Sequence, residues 1–144
     1  MPLILFTLVS ALFITGGYTN SVEAWIPENR TSCSLPGMTK PRGEHTIVAP
    51  GLVCGGWHSE DDAVNKTCEV WRAATGDWEE VVTNLINERN GHMSWRDPAG
   101  TTFLVGGQGS YRSVETINDD FTVAPASFSL EHDRRLVVHI YNHI

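Results

Sequence analysis

The groups in this chain whose types and spacing would support chemistry are histidines, paired carboxylates and cysteines. His45 and His92 each stand three residues after an arginine, in Arg42-Gly43-Glu44-His45 and Arg89-Asn90-Gly91-His92. Imidazoles bind metals when they converge, but equivalent positions of two repeated units are held apart by the rotation between units. Each histidine is therefore read as ordering its own connection through hydrogen bonds. His139 and His143 have the i,i+4 spacing of a zinc pair on a helix, yet they fall in a strand-like tail. The acidic pairs Asp61-Asp62, Glu79-Glu80 and Asp119-Asp120 raise acid–base work or calcium. Acid–base catalysis needs carboxylates facing one another in unequal surroundings, whereas neighbours in turns are solvated. No catalytic residue, metal set or cofactor site is expected.

Three cysteines remain. Cys54 and Cys68 enclose thirteen residues, and a disulfide across them in an oxidising compartment contributes about 3 kcal/mol by loop-closure entropy. That pairing takes up the thiol that would make Cys54 a nucleophile. Cys33 is left over, which implies a partner outside this sequence or a buried free thiol.

These groups are hung on a repeat. Leu52-Val53-Cys54-Gly55-Gly56 returns as Phe103-Leu104-Val105-Gly106-Gly107, 51 residues later, and Arg42 returns as Arg89 after 47 and as Arg134 after a further 45. Self-similarity at this period marks repeat architectures whose units bury their faces by stacking. The recurring arginines point to a structural duty, such as a bidentate contact to carbonyls or to a carboxylate of the neighbouring unit. Short β-prone runs separated by turn residues predict four strands per unit: His45 to Val48, Leu52 to Cys54, Cys68 to Trp71 and Trp78 to Val82, then His92 to Trp95, Thr102 to Val105, Val114 to Ile117 and Phe121 to Val123. A third unit opens at Leu130 and supplies one strand, Leu136 to Ile140. Trp57 to Thr67 is expected to be an exposed loop.

The N-terminus reads differently. Leu3 to Ile14 is apolar and uncharged, followed by Gly16-Gly17 and the small-residue pattern Val22-Glu23-Ala24. This predicts a secretory signal peptide over 1–24 with cleavage after Ala24, a linker over 25–32 and the domain over 33–144. The apolar run is short for a bilayer span, so no membrane span is expected after cleavage. Two sequons, at Asn29 and Asn65, gain meaning on an extracellular route. A net charge of −7 disfavours nucleic acid, whose phosphates call for a basic surface.

The apolar strand ending in Gly55-Gly56, followed by Trp71 and then Trp78, resembles the kelch repeat. The opening around Cys33, Arg42 and Cys54 resembles secreted invertebrate proteins of the kelch and galactose-oxidase-like group. The resemblance implies an all-β fold of kelch-type propeller blades, about two and the start of a third, as an open fragment. It implies a secreted binding module that presents a protein or glycan ligand with blade loops, among them Trp57, His58 and Tyr111. Self-association through the open blade flank or Cys33 would cover what an incomplete ring exposes. The alternative, a galactose-oxidase-like or other carbohydrate-active enzyme, needs a copper site of tyrosine, histidine and modified cysteine. Tyr18, Tyr111 and Tyr141 match no such pattern, and the non-enzymatic reading is preferred.

Overall fold

The computed structural model of the chain describes residues 12–133, apart from 50, 59 and 61. The described residues contain no helix and form antiparallel sheets. The first sheet has three strands in sequence order, β1 (Leu12–Thr15), β2 (Val22–Ile26) and β3 (Thr31–Leu35). The second is built from β4 (Thr46–Ala49) and β5 (Leu52–Cys54), and then, after a short hairpin of β6 (Trp57–His58) and β7 (Ala63–Val64), from β8 (Cys68–Arg72) and β9 (Asp77–Glu80). The third runs β10 (Met93–Arg96), β11 (Thr102–Val105), β12 (Val114–Ile117) and β13 (Val123–Pro125).

The strands of the two four-stranded sheets fall where alternation and turn residues put them. The outermost begin and end a residue or two away from expectation; β13 starts at Val123 because Phe121 turns the chain with φ of +64°. β5 is buried along its whole length and covered on both faces. Alternation sends Val53 toward the first sheet, where it meets Val22, Met38, Trp78, Leu35 and Trp71. Its neighbours Leu52 and Cys54 join Val70, Leu104 and Ile117 between the second and third sheets. Trp71 and Trp78 stand opposite each other on β8 and β9 with ring centroids 5.8 Å apart. The Trp78 indole donates to the Pro36 carbonyl at 3.0 Å, fastening the segment after β3 to the second sheet.

The expectation of a structureless linker over 25–32 needs correction. Residues 25–32, read as a linker, form the end of β2, a turn and the start of β3, because Trp25 pairs with Ser32 and Ile26 with Thr31 in a regular hairpin. Ala24 lies inside β2, opposite Phe13 and Cys33. Cleavage after Ala24 would fall inside this paired strand. Cys33, expected to have a partner outside this sequence or to be a buried free thiol, is an exposed free thiol on β3. The three-stranded sheet precedes the two four-stranded ones. The expected third unit after Leu130, with Arg134, His139, Tyr141, His143 and the strand Leu136 to Ile140, lies almost wholly outside the described residues.

The N-terminal sheet repeats the double-glycine design, a copy that its leader-like composition hid. Gly16, Gly55 and Gly106 each follow a strand, have φ of +81°, +66° and +65°, and donate their amides to Ser21, Thr67 and Ser113 at 3.1, 3.0 and 3.1 Å. A Cβ on Gly16 would lie 2.5 Å from the Arg42 carbonyl oxygen, and one on Gly55 the same distance from that of Arg89. Gly16 and Gly55 thus let the backbone of the next unit approach, where a side chain would force the sheets apart.

Candidate functional site

The recurring arginines occupy closed, solvent-free sites. Arg42, which no solvent reaches, donates from Nη1 to the Gly55 carbonyl at 2.8 Å and the Thr67 carbonyl at 3.0 Å. Its Nη2 reaches Thr67 Oγ1 at 2.8 Å and Glu69 Oε1 at 2.9 Å. The remaining Glu69 oxygen accepts the Thr39 amide at 2.6 Å. Arg89 repeats the set with Gly106, Ser113 and Glu115, and the Glu115 carboxylate accepts the Ile86 and Asn87 amides at 2.7 and 3.1 Å. The carboxylate belongs to the sheet that the arginine itself precedes, not to a neighbour as expected. Glu69 and Glu115 were missed from sequence because each sits among apolar strand residues, 27 and 26 positions after its arginine. Their own spacing of 46 was the available signal.

His45 and His92 do not form a ligand pair with any third group; among the described residues no cluster of three ligating side chains occurs. The His45 Nε2 meets the Thr15 hydroxyl at 2.6 Å, and both rings pack on the first glycine of the preceding unit, His45 on Gly16 and His92 on Gly55. Burial holds His45 at about 4, with the Arg42 guanidinium adding to the shift. Burial and then Arg89 hold His92 at about 3. Both are neutral packing elements at physiological pH.

Cys54 and Cys68, directly opposite on β5 and β8, form the disulfide. Of the acidic pairs, Asp61 lies outside the described residues, and the members of the other two are held apart by separate partners or solvent. Glu79 is tied to Arg72 at 2.7 Å, Glu80 to Lys40 at 3.0 Å, and Asp119 to Arg96 at 2.7 Å, all at the surface.

A concavity with mixed chemistry lies beside the β6–β7 hairpin. This cleft, of about 250 Å³, is lined by Lys40, His58, Ala63, Val64, Asn65, Lys66, Thr67 and Glu88. The expected exposed loop is thus partly folded back, and His58 is buried at 6% rather than presented to solvent. The loop that carries Tyr111, Gln108 to Arg112, adjoins the same place, since Ser110 Oγ donates to the Glu88 carbonyl at 3.2 Å. Trp57 and Tyr111 are half-buried and outside the lining; the Trp57 backbone exchanges bonds of 2.7 and 2.9 Å with Gly43. Of the sequon asparagines, Asn29 is exposed in the β2–β3 turn, whereas Asn65 is half-buried, with its backbone bonded to Gly56 and Arg89. Lys40 is paired with Glu80 and the Thr67 hydroxyl accepts from Arg42, so the Lys66 amine, the Asn65 amide and the Glu88 carboxylate are the lining groups suited to hydrogen-bond a polar ligand.

No protein-family model and no curated protein matches the sequence. Among solved structures the chain is similar to YjhT, with a TM-score of 0.66 at 14% identity, covering 85% of this chain and 49% of that one. The likeness is one of fold. The chain spans about half the length of the structure it matches.

Proposed function

We propose that this chain is a non-enzymatic binding module made of kelch-type propeller blades, in which the loop face takes a polar ligand, a glycan or a protein segment. The observation that carries this reading is the cleft beside the β6–β7 hairpin, lined by Lys40, Lys66, Asn65, Thr67 and Glu88, with the Ser110 hydroxyl bonded to the Glu88 carbonyl beside it. Loops held by a rigid sheet scaffold are where binding groups concentrate. At about 250 Å³ the cleft lies below the range of drug-sized pockets and suits a single sugar or an inserted side chain.

The repeat reading is supported by the twofold recurrence of the arginine site and the threefold recurrence of the glycine amide bond after a strand. An extracellular setting is supported by the disulfide and the exposed sequon at Asn29. Cleavage after Ala24 would discard β1 and divide β2, so on this reading the exported protein keeps residues 12–26. N-terminal sequencing of secreted material tests this, and a start at Trp25 would contradict it. For the ligand, panels of glycans and peptides are screened with the wild-type chain and with Lys66→Ala and Glu88→Gln. Binding lowered at least about tenfold in both variants supports the cleft, and unchanged binding removes it.

A further inference from the structure

The polar groups around the cleft divide into those the fold already uses and those it leaves over. The Lys40 amine is held by Glu80 at 3.0 Å, and the Thr67 hydroxyl by Arg42 at 2.8 Å. The Asn65 side-chain oxygen accepts the Thr67 amide at 2.7 Å, so this side chain has its Nδ2 donor left for a ligand. Among the described residues, the Lys66 amine and the Glu88 carboxylate enter no ion pair, either with each other or with a third group.

What remains is polarised by segment. Asn65 and Lys66, which follow the β6–β7 hairpin, offer donors, and Glu88, on the connection to the third sheet, offers an acceptor. Opposite charges thus line one cleft of about 250 Å³ without neutralising each other. The backbone fixes the two segments side by side. The Leu85 amide donates to the Lys66 carbonyl at 2.8 Å, the Arg89 amide to the Asn65 carbonyl at 3.2 Å, and Ser110 Oγ to the Glu88 carbonyl at 3.2 Å. Donors and acceptor are therefore mounted on a frame that binding does not have to order. Ala63 and Val64 add an apolar part to the same lining.

We infer that the cleft takes a small zwitterion, a free amino acid or dipeptide that carries an ammonium and a carboxylate on one short molecule. The ligand carboxylate meets the Lys66 amine and the Asn65 Nδ2, its ammonium meets Glu88, and its aliphatic part lies on Ala63 and Val64. Both ends of such a ligand make charge-assisted hydrogen bonds, the strong kind. An uncharged sugar of the same size takes water from both charges and returns no counter-charge, which costs affinity. A carboxylate alone leaves Glu88 uncompensated, and an amine alone leaves Lys66 so. This inference rests on the reading of the cleft as a binding site and names the ligand class of that site.

The test is isothermal titration calorimetry of the full chain with glycine, β-alanine, 4-aminobutyrate and glycylglycine, a series that steps the separation of the two charges. Propionate, propylamine and glucose are the controls. One member of the series binds at least about tenfold more tightly than any control. Lys66→Gln and Glu88→Gln each weaken that binding at least about tenfold, and added salt weakens it further in the wild type. Both residues are exposed, and thermal melts matching the wild type verify that the variants keep the fold. Zwitterions that bind no better than propionate or propylamine, or that bind both variants as well as the wild type, overturn the inference. A glycan or peptide segment whose binding falls in the two variants, with no zwitterion bound, overturns the inference alone. When no zwitterion, glycan or peptide shows binding that depends on Lys66 or Glu88, the reading of the cleft as a binding site falls with it.

Discussion

Replacing Arg42 by methionine probes the buried arginine sites most directly. The substitution keeps most of the aliphatic volume but removes five hydrogen bonds, two to carbonyls, one to the Thr67 hydroxyl and two to Glu69. It leaves the Glu69 carboxylate, with a side-chain exposure of 0%, holding the Thr39 amide. Breaking a buried pair from one side costs about 3–5 kcal/mol, because the surviving charge has lost both water and partner. Against a total stability of about 5–15 kcal/mol this is a large fraction. With a urea slope of about 1–3 kcal/mol/M, the unfolding midpoint falls by at least about 1 M. Tryptophan fluorescence reports the transition, since Trp71 and Trp78 sit on the strands beside Glu69. Arg42→Met with Glu69→Leu removes the stranded charge and recovers about 2 kcal/mol relative to the single variant. The cost of the single variant persists in 1 M salt, because a dry pair is poorly screened. A midpoint within about 0.3 M of wild type, or a double variant as unstable as the sum of its parts, would refute the reasoning.

Three further outcomes follow from the geometry. Above pH 6.5 the histidines are neutral in both states, and as pH falls the unfolded chain takes up protons that the fold refuses, so stability drops from 6.5 to about 4 for His45 and about 3 for His92. Each contributes a slope of up to about 1.4 kcal/mol per pH unit, and thermal melts of His92→Gln between pH 7 and 4 are expected to show a shallower decline than wild type. Gly55→Ala costs several kcal/mol more than Gly76→Ala in denaturant melts: both have positive φ, but only the Gly55 methyl meets a backbone oxygen, at 2.5 Å. Replacing Cys54 and Cys68 together by alanine lowers stability by about 3 kcal/mol. In the native protein the disulfide, with Cys54 at 0% and Cys68 at 3% exposure, reacts with thiol reductants at the rate of opening, which free-thiol labelling over time measures.

The repeat of Leu52 to Gly56 in Phe103 to Gly107, the pairing of Cys54 with Cys68 and a structural duty for Arg42 and Arg89 were legible from residue order alone. They depend on local properties: glycine where a strand must bend and be approached, apolar alternation, and two thiols a short loop apart. The partners Glu69 and Glu115 were not legible, because the register across β5 and β8 and the length of the β6–β7 hairpin determine which carboxylate meets which guanidinium. Nor was the N-terminal copy. The contact that marks it, the Arg42 backbone and His45 ring against Gly16, joins residues distant in sequence. Composition sets what each segment would bury, whereas burial itself is a pairwise property that exists only once the sheets are side by side.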